Sequence, residues 1–232
     1  MAKSRFEILA VIGVHAATMA KGLKKAGGTL TSWAKQTMKT VMSVALRGTA
    51  AAGAALAAFG AASLKEFASF EKGMLEVFTL LPGISKKAMD KMSDQTLELA
   101  QKMGTLPEEV VPALYSALSA GVPPGNVFNF LEAAVKASKA GVVDLNTAVD
   151  ALSTVVNTYG KENITAARAA DIMFEAVKMG KTTFGEMAAT MYNVLPIAKA
   201  ANVSFEDLAS AVATMTSKGT PTAQVMTQLK AA

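Results

Sequence analysis

Apolar residues along this chain recur mostly at intervals of three and four, the spacing of one face of an α-helix. The clearest run is Leu145, Ala148, Val149, Leu152, Val155, Val156 and Tyr159, one continuous stripe in a helix predicted from Asp144 to Tyr159. Gly160 follows as the expected left-handed stop. Ala169, Ile172, Met173, Ala176 and Val177 repeat the pattern in a helix that starts at Asn163 or Thr165 and ends at Gly180.

Polar punctuation divides the rest. Leu80-Leu81-Pro82-Gly83 breaks the chain, and Ser85 or Ser93 opens a helix through Leu97 and Leu99 to Met103, stopped by Gly104. Thr105 and Glu108 have the spacing of a capping box, with Pro107 tolerated in the first turn. Val110, Leu114, Tyr115 and Leu118 form the next helix, which ends at Gly121. Val122-Pro123-Pro124-Gly125 is then a turn with Asn126 as a cap. Phe128, Leu131, Ala134 and Val135 run on to Ala140, with Gly141 as the stop and Asp144 as the following cap.

Thr183 with Glu186, and Ser204 with Asp207, repeat the capping grammar; Phe184 and Phe205 beside them are expected to anchor inward. Pro196 is expected to kink or break the helix begun near Phe184. Gly219-Thr220-Pro221 reads as stop, cap and first-turn proline. The stops at Gly104, Gly141, Gly180 and Asn202 are unevenly spaced, which excludes a solenoid of fixed period.

Composition agrees with this pattern. Hydrophobic residues make up 51% of the chain but much of that is Ala, and aromatics are only 6%. An all-α fold follows: narrow helices packed closely, in a multi-helix bundle of short helices. The organisation read from sequence is a basic, Ala/Gly-rich helical arm over 1–64 and a helical core over 65–232.

Charge is uneven. Up to Arg47 there are eight basic residues, among them Lys21, Lys24, Lys25, Lys35, Lys39 and Arg47, against Glu7 alone; the remainder carries 15 basic and 17 acidic residues. Such an arm suits nucleic acid, anionic lipid or an acidic protein wall, or is simply a solvated helical face. Residues 8–20 are apolar, but Glu7 before them and Lys21-Gly22-Leu23-Lys24-Lys25 after them argue against a signal peptide. Residues 48–64 are uncharged and rich in small side chains, with Gly53, Ala57 and Gly60 placed for close helix contact. A helix–helix contact in an oligomer is favoured there over insertion into a membrane.

Sites of chemistry are hard to find. There is no cysteine and a single histidine, His15, in an apolar run, which excludes thiolate metal sites, disulfides and His-pair schemes. Glu108-Glu109 and Glu206-Asp207 sit at helix starts, where negative charge complements the dipole. No catalytic residue, metal site or cofactor is expected. The stripe Leu145, Val149, Leu152, Val156 and Tyr159 is expected to mediate self-association, and the 14 methionines to fill the core or to provide an adaptable interface.

Phe70-Glu71-Lys72-Gly73-Met74, Ala117-Leu118-Ser119-Ala120-Gly121 and the run from Phe130 to Gly141 resemble the core region of phage tail tape measure proteins. So do Tyr159-Gly160, Ala166 to Asp171, Val194 to Ala198 and Ala200 to Ala209, in that order. The resemblance covers roughly Phe67 to Lys230. It departs at Ala223 to Leu229, which keeps Thr and Leu of the family's closing motif but lacks its Gly. The resemblance implies a virion structural protein in the lumen of the tail tube. Such a protein governs tail length during assembly and takes part in DNA delivery. Its implied partners are itself as a homo-oligomer, the tail tube protein, tail tip or baseplate hub proteins, tail assembly chaperones, and at the extremes the genomic DNA end and the host membrane. The alternative reading is a membrane-inserting, pore-forming helical protein acting through residues 48–64. Members of the family run on for hundreds of residues, so the chain is read as the N-terminal portion of a longer protein. As one unbroken helix it would reach only roughly 350 Å at about 1.5 Å per residue.

Overall fold

The computed structural model describes residue 66 and residues 68–232. These contain no strand. The elements are α1 (68–79), α2 (Lys86–Met103), α3 (Pro107–Ser119), α4 (Val127–Gly141), α5 (Leu145–Tyr159), α6 (Ala166–Met179) and α7 (Phe184–Thr190). A 3-10 turn (Met191–Asn193), α8 (Leu195–Ala200), α9 (Phe205–Ser217) and α10 (Thr222–Ala231) follow.

Five helix starts are fixed by side chains that the sequence suggests. Ser85, Asp144, Thr165, Thr183 and Ser204 each accept a hydrogen bond from the amide three residues on. Thr183 and Glu186 complete a reciprocal capping box. Ser204 and Asp207 do not: the shorter acid instead accepts from the Ser204 hydroxyl at 2.6 Å. Phe184 and Phe205 are buried, as expected of inward anchors. Pro196 breaks its helix outright, with the 3-10 turn closing α7 and the proline sitting in the first turn of α8.

Three expectations are corrected. At α3 the N-cap is Leu106, which makes no side-chain cap bond, because Pro107 occupies the first helical turn. Thr105 then donates to Glu109 rather than pairing with Glu108. At α10 the N-cap is Pro221 itself, and Thr220 caps nothing. The third concerns Gly141, which is helical instead of being the stop. A Cβ there would lie 2.8 Å from Cβ and 2.9 Å from Cγ of Phe184, so the glycine admits the Phe184 ring against α4. The left-handed turn therefore falls one residue later, on Val142 at φ 52°. A β-branched side chain pays a steric penalty in that region of about 1–2 kcal/mol. Val142 is also 90% exposed and loses almost no burial on truncation. Val142→Gly is accordingly expected to raise stability by about 1 kcal/mol, read as a higher urea midpoint at unchanged m-value.

The centre of the body is α5. It packs on α3, α4, α6, α7 and α8. The facing helices are narrow: Ala133, Ala134 and Ala137 of α4 are buried, as are Ala166, Ala169, Ala170 and Ala176 of α6. Close approach continues at Gly180, where a Cβ would meet the Ala213 Cα of α9 at 2.8 Å. Met173, Met187, Met191 and Met226 fill gaps in the interior, while Met179 is 75% exposed.

Candidate functional site

A concavity lies where four helix ends meet: the end of α2, the start of α3, the end of α4 and the start of α5. It is a cleft of about 360 Å³ lined by Glu108, Glu109, Pro112, Lys139, Asp144 and Asn146, among others. Each charged group in it serves a helix terminus. The Lys139 ammonium donates to the carbonyls of Met103 and Gly104, placing a cation on the negative end of α2. Asp144 accepts from the Thr147 amide at 2.8 Å and from the Thr147 hydroxyl. The hydroxyl bond, and then the amide bond, hold the Asp144 carboxyl below its ordinary range. Glu108 moves the other way, raised first by its hydrogen bond with Glu66, then by partial burial and by the charges of Glu66 and Glu109. Ser138, the hydroxyl at the cleft wall, donates to the Val135 carbonyl at 3.0 Å of its own helix.

The arrangement is a seam of capped helix ends. No serine there faces a base, and the lysine is committed to backbone carbonyls. Among the described residues no group of acidic and histidine side chains is placed to hold a metal ion. Outside the cleft, Glu132 of α4 bridges Lys102 of α2 at 2.8 Å and Lys136 of its own helix at 3.0 Å. These two hydrogen bonds, Lys102 first, lower the Glu132 carboxyl. Arg168 of α6 meets Glu206 of α9 at 3.4 Å. Such exposed pairs contribute little each.

The cap at Asp144 has a pH signature. Its carboxyl is depressed in the folded state, so its contribution is present above the ordinary carboxylate range and is lost as pH falls through the folded value. Asp144→Ala should cost about 1 kcal/mol at pH 7. Urea titrations of both proteins should converge as pH falls below the ordinary carboxylate range and through the depressed folded value, where the wild-type cap is itself protonated.

The stripe predicted for self-association is placed inside this fold. Leu145, Val149, Leu152 and Tyr159 are buried and Val156 partly so, against helices of the same chain. Its periodicity required an apolar partner, and α3, α4 and α6 are that partner. The basic arm (Lys21, Lys24, Lys25, Lys35, Lys39, Arg47) and the small-residue contact (Gly53, Ala57, Gly60) lie outside the described residues. Sequence reasoning missed the apolar side chains that do reach the surface. Leu106, Val142 and Met179 stand at helix ends, Ile197 lies in α8, and Tyr192 and Val203 flank it. Tyr192 falls in the 3-10 turn, where helical periodicity no longer assigns a face. Val142 follows a glycine that was expected to end the helix.

Residues 93–232, from within α2 through α10, match the family of phage-related minor tail proteins. The chain belongs to that family. Two curated relatives of this tail protein extend the match. One is the probable tape measure protein of Clostridium phage phiCD119, 33% identical over 148 residues, which is 62% of this chain and 16% of the relative. The other is the tape measure protein of Pneumococcus phage Dp-1, 23% identical over 177 residues, or 76% of this chain and 15% of the relative. The resemblance to tape measure proteins read from the sequence is thus borne out, as is the all-α fold. The chain spans only 16% and 15% of the lengths of these relatives. No solved structure matches it. Family and relatives together give the chain a structural role in a phage tail.

Proposed function

We propose that this chain is the tape measure component of a phage tail, or a portion of one, lying in the lumen of the tail tube. There it helps govern tail length during assembly and takes part in DNA delivery. The observation that carries this reading is that both curated relatives bear the tape measure name, while the family match coincides with the folded helices from α2 to α10. The chemistry is compatible: the charged groups of the cleft cap helices, so the body acts by packing.

In this reading the chain meets the tail tube protein, tail tip or baseplate hub proteins and tail assembly chaperones. It also associates with itself, through surfaces other than the buried stripe. The basic arm is the element suited to an acidic wall, the genomic DNA end or the host membrane. Among the described residues no helix is long and apolar enough to cross a membrane, so membrane insertion rests on residues 48–64 outside them.

The test is an in-frame deletion of residues 66–232 in the phage that encodes the chain, followed by negative-stain electron microscopy of lysates. Tails of uniform length should disappear, leaving none or tubes of scattered length. A normal length distribution with normal infectivity would sink the proposal.

A further inference from the structure

A polar network ties two helices together through a single oxygen: its threonines, Thr182 and Thr222, are buried, and the Glu186 carboxylate they meet is exposed. Thr222, in the first turn of α10 and 5% exposed, directs its hydroxyl at the Thr182 hydroxyl (2.8 Å) and at Glu186 Oε2 (3.2 Å). Thr182 lies 3.4 Å from the same Oε2, and the Thr183 amide donates to it at 3.0 Å. Glu186 therefore completes the capping box of α7 and also receives the start of α10. Nothing else polar holds that start, since Pro221 at the N-cap makes no side-chain cap bond. The joint before it is Gly219, at φ 96° with no atom within 4 Å of a Cβ position. Beyond the joint, α10 packs on α7, on the 3-10 turn and on α9. It buries Val225 and Met226, while α7 and the turn bury Met187 and Met191.

We propose that α10 is a hinged lid, latched by Thr222 and Thr182 on the Glu186 carboxylate, which covers a methionine-lined groove on α7 and the 3-10 turn. The lid opens about the Gly219–Pro221 joint while α2 to α6 and α9 remain folded, because its buried face within the described residues is short: Thr222, Val225 and Met226, with Leu229 partly buried beside them.

Methionine oxidation by dilute hydrogen peroxide on the whole chain, followed by peptide mass spectrometry, tests this. Exposed Met179 is the fast reference and Met173, a fully buried residue of α6, the slow one. In the wild type Met187, Met191 and Met226 should oxidise at one shared rate between the two. Thr222→Val keeps the side-chain shape and leaves Thr182 free to donate to Glu186. It should speed those three by about tenfold, the scale of a hydrogen bond to a charged acceptor, without changing Met173. Glu186→Gln, which preserves capping-box geometry, should act in the same direction. The proposal is overturned if the three methionines oxidise in step with Met173, if neither variant changes their rate, or if the variants speed Met173 equally.

Discussion

Leu152→Ala is expected to destabilise the chain by about 2–5 kcal/mol, by an amount that does not depend on protein concentration. Leu152 is fully buried at the middle of α5, where α3, α4, α6, α7 and α8 converge. Truncation removes its transfer energy and leaves a cavity that five packed neighbours cannot easily close. Independence of concentration is the informative part. A side chain buried between copies would give a midpoint that rises with concentration, by mass action. Urea unfolding at two concentrations a hundredfold apart therefore separates a core stripe from a subunit interface. A shift of the wild-type midpoint between them, abolished by Leu152→Ala, would return the stripe to the role expected from sequence.

Phe184→Ala should cost about 3–5 kcal/mol, the largest single loss at a helix start in this fold. The ring is almost fully buried, stacks on Phe174 with centroids 5.2 Å apart, and occupies the space that the missing side chain of Gly141 leaves. Gly141→Ala should cost about 1–3 kcal/mol by overpacking. The two changes should be coupled. Removing the ring deletes the Cγ and Cδ1 atoms that a new Cβ at 141 would strike, but leaves Phe184 Cβ at 2.8 Å, so the relief is partial. A double-mutant cycle by chemical denaturation measures it. Strict additivity would show that Gly141 is glycine for some other reason.

Those two positions also show what could be read from the chain and what could not. Helix starts were legible wherever a hydroxyl or a carboxylate stood three residues before the amide it caps, as at Ser85, Asp144, Thr165, Thr183 and Ser204. Those bonds are local, and local spacing suffices. Thr105 failed because Pro107 moves the cap by one residue. Gly141 failed because its reason lies 43 residues away, in the ring of Phe184. The stripe on α5 was legible as apolar and helical, but periodicity does not say whose helix will cover it. The cleft was foreshadowed only as Glu108 and Asp144 at helix starts. Lys139 reaches the carbonyls of Met103 and Gly104 across 36 and 35 residues, and no short motif encodes that.

The longest helix described, α2, has 18 residues, roughly 27 Å at about 1.5 Å per residue. The helices fold back on one another, five of them on α5, instead of continuing one another. A globule of this many residues has a radius of gyration near about 15 Å, whereas the same residues drawn out as one rod would span about 250 Å. Measured as a yardstick, then, the folded body is a bead: a residue added to it lengthens the string far less than the about 1.5 Å it would add to an extended helix.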